Sequence, residues 1–324
     1  MKDKRNIIKL ACIIEFLYIS VMLIYYLFFK EYSEEVSASL FLLLISGIIT
    51  VFLYNQSGKD IDYIKNNKLK ILIPSIWLFL DPVIPGILGF IFLSSISDKK
   101  SKPLPNIEEK SVTKKEFFKS FLLIVFFIVV MFLLPNFSFF KKIPSYIVYI
   151  IIFLTVLIVN FNNIKRDFLI FIKNKKAYLP FVIKRYFIML GVMIVVAIPI
   201  VFLNNGQTSS NQKVLNQMFQ KLPLVMLLLS TLYAPFVEEN IFRLSLSKLF
   251  KNKTVFIVIS GLLFGTLHMI DKFTSFYDLL YIFQYSALGI CLAKAYSDSK
   301  NIFVSIGMHF IQNFIAAILV LLLY

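Results

Sequence analysis

The sequence predicts an all-α fold, a polytopic bundle of transmembrane helices with nine or ten membrane segments. Three observations carry this expectation. The chain of 324 residues is 59% hydrophobic with a mean hydropathy of +0.81, too apolar for a water-soluble domain. Apolar runs near the ~20 residues that cross a bilayer recur along its whole length. Polarity does not alternate within these runs, which argues against a transmembrane β-barrel.

The first run, 7–29, follows the basic start Met1-Lys2-Asp3-Lys4-Arg5. It is too long for a signal peptide, and no small-residue cleavage site follows Phe29, so it reads as an anchor with its basic end in the cytoplasm. Further runs cover 36–54, 71–94, 121–138, 145–161, 186–203, 222–242, 254–270, 278–295 and 301–323. Lysine-rich connections at 55–70, 95–120, 162–185 and 248–254 supply most of the net charge of +16. Such connections face the cytoplasm, so the charge reports orientation, and no nucleic-acid partner is expected. With 55–70 and 95–120 on one side, the run between them cannot cross once. Pro74, Asp81-Pro82 and Pro85-Gly86 interrupt it, which predicts a re-entrant or broken helix over 71–94. Residues 1–100 then form an amino-terminal membrane bundle of unassigned role. Residues 101–120, with Pro103 and Pro105, read as a cytoplasmic linker. Residues 121–324 form a second membrane domain with its chemistry in about 222–324, and 204–221 is the main external loop. Cys12 and Cys291 both lie in apolar runs and give no disulfide framework.

Ionisable side chains at membrane depth are costly unless paired or facing water, which makes them functional candidates. The two histidines, His268 and His309, both fall in apolar runs, and a third run carries Glu238-Glu239. Arg243 follows Glu239 by four residues and shares its helix face, so the two can pair. Glu238 is rotated by about 100° and left free for other work. Gly261 and Gly265 allow close helix packing one turn before His268. Asn301, Ser305, His309 and Asn313 form a polar row at four-residue spacing that must face protein or water. Taken singly, each feature has a structural reading: an ion cluster at a helix end, or an interhelical hydrogen bond. The acid pairs Glu34-Glu35 and Glu108-Glu109 lie in polar loops without a following arginine and read as solvated charges. Asp81 fits the broken helix better than a catalytic role.

Together, Glu-Glu-x-x-x-Arg at 238–243, Phe-x-x-x-His at 264–268 and His-x-x-x-Asn at 309–313 resemble the CAAX protease and bacteriocin-processing (Abi) family of intramembrane endopeptidases. The resemblance covers roughly residues 180–324. It implies a glutamate-type mechanism in which Glu238 and His268 activate water, His309 and Asn313 stabilise the oxyanion, and Glu239 with Arg243 positions Glu238. It implies a membrane-associated protein or peptide precursor as substrate, with bacteriocin or pheromone maturation or self-immunity among the roles. The direction of the seventh run predicts a pocket opening to the cytoplasm. No cofactor is expected. Zinc bound by Glu238, His268 and His309 is the lesser alternative, because His-Glu-x-x-His is absent and Asn313 is a poor zinc ligand. A membrane scaffold or immunity factor that keeps the fold and acts by binding is the rival of another class. A proton-coupled transporter is a third, weakened by the absence of a visible inverted repeat.

Overall fold

The computed structural model describes residues 5–29, 34–80, 103–107, 111–204, 207–270 and 276–323, and these residues contain helices and connections but no strand. The interruptions at Asp81-Pro82 and Pro85-Gly86, and with them most of the expected re-entrant segment, lie outside the described residues, as does Glu108-Glu109. Contacts divide the chain into two compact units, Met1–Lys100 and Ser101–Tyr324.

In the first unit, helices α1 (Arg5–Phe29) and α2 (Glu34–Ser57) pack antiparallel, followed by α3 (Ile61–Asn66) and α4 (Leu69–Leu80). Ile8, Cys12, Leu53, Ile64, Ile71 and Leu78 make its core. The Asp60 carboxylate caps α3 by accepting from Tyr63 N at 2.8 Å. Hydroxyls in this apolar setting satisfy themselves on the preceding turn, Thr50 on Ser46 O at 2.8 Å and Ser75 on Ile71 O at 2.6 Å.

The second unit contains α5 (Lys114–Asn136), α6 (Ser145–Lys173), α7 (Lys175–Leu203), α8 (Ser210–Lys221), α9 (Pro223–Leu249), α10 (Lys253–Met269), α11 (Asp278–Ser299) and α12 (Ile302–Leu323). Thr113 and Glu116 start α5 with a reciprocal capping box. Across the described chain eight helices are long and apolar enough to cross a membrane: α1, α2, α5, α6, α7, α9, α11 and α12. Adding the shorter apolar α10 accounts for nine of the ten apolar runs of the sequence, the run 71–94 lying mostly outside the described residues, and the chain is a multi-pass helical membrane protein.

Two features of this unit set the depth and closeness of the helices that carry the motifs. Asp167, fully buried near the end of α6, accepts from Ile302 N at 3.0 Å, and its main-chain carbonyl accepts from Asn301 Nδ2 at 2.8 Å. A carboxylate on the first amide of α12 satisfies an otherwise orphaned donor and favours the helix dipole. That contact fixes where α12 begins, and so where His309 lies seven residues later. Helices α10 and α11 touch backbone to backbone. A Cβ on Gly265 would stand 2.6 Å from both Ile282 O and Ser286 N, and one on Gly289 2.9 Å from Gly261 Cα. The glycine pair of α10 meets a third glycine on α11, and only their missing side chains permit this approach.

Candidate active site

Helix α9 is not a regular α-helix. It runs α over Pro223–Leu228, π over Leu229–Tyr233, α over Ala234–Glu239, π over Asn240–Ser245 and 3-10 over Leu246–Leu249. Pro235 accounts for the first distortion, because it offers no N–H and its ring crowds the preceding turn. Ala234 N reaches back five residues to Leu229 O. The next bond in that register would come from residue 235, which has no donor, so Ser230 O is left over. Asn313 on α12 fills the vacancy by donating from Nδ2 at 2.8 Å. In the second distortion the Phe242 carbonyl accepts from Ser260 Oγ at 2.7 Å and the Ser245 hydroxyl from Asn160 Nδ2 at 3.1 Å. Glu238 and Glu239 thus sit on one and a half regular turns between two widened ones, an arrangement frequent at functional sites.

The two glutamates have separate environments. Glu239 is fully buried, with Oε2 3.1 Å from Arg243 Nε, and its Oε1 accepts from His309 Nδ1 at 2.8 Å. Ser305 adds a further contact to this carboxylate. Arg243 is equally buried; Nη2 donates to Gly289 O at 3.3 Å and the guanidinium lies 4.6 Å from the centre of the Phe264 ring. A guanidinium on one side and a hydrogen-bonded imidazole on the other are what makes a dry carboxylate tolerable here. Glu238 keeps a fifth of its side chain exposed (21%), and its Oε2 has no hydrogen bond. That oxygen is the point on which both imidazoles converge: His268 Nε2 lies 3.8 Å away and His309 Nε2 4.0 Å. These gaps exceed a direct hydrogen bond and match three groups around one shared small molecule or carbonyl oxygen.

Hydrogen bonding assigns the protons. His268 Nδ1 is 2.8 Å from Phe264 O, an atom that only accepts, so Nδ1 carries a proton and Nε2 faces the pocket. His309 likewise donates from Nδ1, to Glu239, and presents Nε2. Phe264 is the hub beneath them: Arg243 lies over it, His268 lies beside it at 4.2 Å and 33°, and His309 meets it edge-on at 5.7 Å. The phenylalanine of Phe-x-x-x-His therefore touches three of the polar side chains and fixes their spacing.

Five of the six side chains singled out in the sequence, Glu238, Glu239, Arg243, His268 and His309, form this one cluster. The sixth, Asn313, is bound to Ser230 O two turns of α9 away from Glu238 in sequence, and keeps its second amide hydrogen for another acceptor. The polar row of α12 faces protein throughout: Asn301 on Asp167, Ser305 and His309 on Glu239, Asn313 on Ser230. For the zinc alternative, two ligands of a tetrahedral zinc at about 2.0–2.1 Å stand roughly 3.3 Å apart. The observed separations of 3.8 and 4.0 Å are wider, and among the described residues no group of three or more His, Cys, Asp or Glu side chains is arranged to hold a metal ion.

One expectation concerns access. The direction of α9 placed the opening at the lysine-rich end of the helices. Every residue from Asn240 to Ser245, the stretch leading to that end, is buried, and Arg243 within it lies over the Phe264 ring. His268 lies one residue before the end of α10, beside Tyr285, whose hydroxyl bonds Ser209 and Asn211. His268, a quarter exposed, thus lies on the flank of the site nearest the segment that enters α8. Sequence reading also missed Tyr285, Asp167 and the Ser230 carbonyl. Only the last had a signal, a proline five residues after a serine.

Residues 220–315 match the family model described as Rce1-like, type II CAAX prenyl endopeptidase. The UPF0177 protein YvdC of Lactococcus lactis subsp. lactis (strain IL1403) is 28% identical over 123 residues, 37% of this chain and 45% of its own length. YdiL of Bacillus subtilis (strain 168), provisionally named a membrane peptidase, is 32% identical over 111 residues, 33% of this chain and 42% of its own. The chain thus spans less than half the length of either relative. No solved structure matches it. The matched stretch, residues 220–315, holds every side chain of the cluster and is similar to the CAAX protease family.

Proposed function

We propose that this chain is an intramembrane endopeptidase that hydrolyses a peptide bond in a membrane-associated protein or peptide precursor, using glutamate-activated water and no metal. The observation that carries this reading is the convergence of two imidazole Nε2 atoms, from α10 and α12, on one free oxygen of Glu238 on α9. A water among these atoms gives one proton to Glu238 while its oxygen bonds to the scissile carbonyl carbon. His268 Nε2 accepts the second hydrogen of that water and orients it. The carbonyl π electrons move onto oxygen, and His309, doubly protonated and held by Glu239, donates Nε2–H to that oxyanion. The spare amide hydrogen of Asn313 is the second donor. When the C–N bond breaks, the leaving amine takes the proton from Glu238, and the carboxylate is restored. Glu239 acts on His309 more than on Glu238, since its hydrogen bond goes there.

The substrate class fits maturation of a secreted peptide, such as a bacteriocin or pheromone, or self-immunity to one. Lysine distribution supports an amino terminus on the cytoplasmic side. The exposed flank of the site then faces the opposite side, toward the α7–α9 connection. Purified protein in detergent is compared with Glu238→Ala on candidate precursors: cleavage lost with the fold retained is the expected result, and equal cleavage by both rejects the assignment. Cleavage that survives exhaustive chelation supports the metal-free route, whereas a loss restored by added zinc rejects it.

A further inference from the structure

The hydrolytic mechanism does not use a polar cluster that adjoins its site. Tyr285 on α11 lies against the His268 imidazole with ring centres 5.1 Å apart and planes at 22°. Its hydroxyl accepts from Asn211 Nδ2 at 3.0 Å and shares a hydrogen bond with Ser209 Oγ at 3.2 Å. Ser209 is the N-cap of α8, its Oγ also accepting from Gln212 N at 3.1 Å. Asp278 accepts from Ser210 N at 3.0 Å and from Ser210 Oγ at 2.9 Å, and Tyr281 donates to Gln207 O. Residues 278, 281 and 285 share one face of α11. That face clasps the segment entering α8, with Ser209, Ser210 and Asn211 all buried beneath it.

Stacking of this kind restrains the plane of a ring but leaves its chemistry alone. The His268 bond from Nδ1 to the carbonyl of its own helix fixes the tautomer, and the Tyr285 ring fixes the plane in which Nε2 is presented. We propose that Tyr285 is a positioning residue for His268: its ring holds the imidazole so that Nε2 faces Glu238, and its hydroxyl ties that placement to the Ser209–Asn211 turn. This rests on the proposed hydrolysis for its kinetic consequence but not for its structural one. A displacement of about 1 Å at a reacting group costs on the order of 100-fold in rate.

The test uses the full chain in detergent with Tyr285→Leu, Tyr285→Phe and Asn211→Ala, and two readouts. The first is cleavage, separated into kcat and KM. The second is ethoxyformylation of the two histidines by diethyl pyrocarbonate, followed site by site by mass spectrometry. Since the chain has only His268 and His309, each rate is read directly. Tyr285→Leu is expected to lower kcat by about 100-fold with KM little changed, and to raise the modification rate of His268 but not of His309. Tyr285→Phe keeps the stack and is expected to recover most of kcat, and Asn211→Ala to resemble it. Unchanged His268 reactivity in Tyr285→Leu, or an equal rise at both histidines, overturns the proposal. Should Glu238→Ala cleave as well as the parent, the hydrolysis reading falls, while the modification rates still decide the role of Tyr285.

Discussion

Glu238 and Glu239 are neighbours in sequence, yet substitution is expected to damage different properties. Glu239 is shut away from solvent between Arg243 and His309, so Glu239→Gln leaves a buried guanidinium without a counter-charge. Breaking such a pair from one side costs about 3–5 kcal/mol, whereas replacing both partners by uncharged groups of similar size is close to neutral. Glu239→Gln is therefore expected to lower the unfolding temperature in detergent, and Glu239→Gln combined with Arg243→Met to recover most of the loss. A double variant no more stable than the single one would show that the ion pair is not what the glutamine disturbs. Glu238→Gln removes no hydrogen bond and no buried pair, so its unfolding temperature is expected to match the parent. Its cleavage is expected to fall by about 10²–10⁴-fold, as for loss of a general base. Part of this asymmetry was legible in the sequence, since an arginine four residues on marks Glu239 as the paired acid. The bond from His309 to Glu239 was not, because it spans 70 residues and depends on how deep α12 is set by Asp167.

At the scale of the helix, Pro235 ties the shape of α9 to a side chain on α12. Replacing it by alanine restores an N–H next to the Ser230 carbonyl, which then has a partner on its own helix as well as Asn313. Asn313→Ala alone leaves that half-buried carbonyl without its partner, a loss of about 1 kcal/mol. In a Pro235→Ala background the same change is expected to cost little, and thermal unfolding of the four proteins closes the cycle. An equal cost in both backgrounds would mean that the asparagine supports the fold by some other contact. Regular closure of this turn also rotates the Glu238-Glu239 turn beyond it, so Pro235→Ala is expected to reduce cleavage without reducing stability. The α10–α11 contact offers a second test. On Gly265 a methyl group meets main-chain atoms of α11, which cannot swing aside as a side chain does. Gly265→Ala is expected to destabilise by about 1–3 kcal/mol through overpacking and to displace His268 three residues on. Gly261 and Gly265 announced this contact through their spacing. The π segments gave no such notice: their apolar pattern is that of an α-helix, and the widened turns are held by donors on α6, α10 and α12.

Across the described residues, sequence and structure agree on helical class, on nine of the apolar runs, and on the three motifs meeting, because each of these follows from local pattern. The face from which the site is reached does not follow from local pattern. It depends on which neighbours fill the space above and below Glu238, and labelling from the two sides of the membrane decides it. Lysines nevertheless label the two ends unequally: Lys114, Lys173, Lys175, Lys248 and Lys253 lie at the starts or ends of α5, α6, α7, α9 and α10 on one side. Clustering of this kind keeps its end in the cytoplasm, since moving several cations through the bilayer core is costly. The α7–α9 connection, beside His268, is then on the outer side. Lys213 on α8 and Lys251 between α9 and α10 are both exposed and belong to opposite ends. In a background with Cys12→Ser and Cys291→Ser, the Lys213→Cys protein is expected to react with an impermeant maleimide added to intact cells. The Lys251→Cys protein is expected to react only after the membrane is opened. The reverse pattern would place the site on the cytoplasmic side. A peptide that has already crossed the bilayer would then no longer be the natural substrate, and a cytoplasmic precursor would take its place.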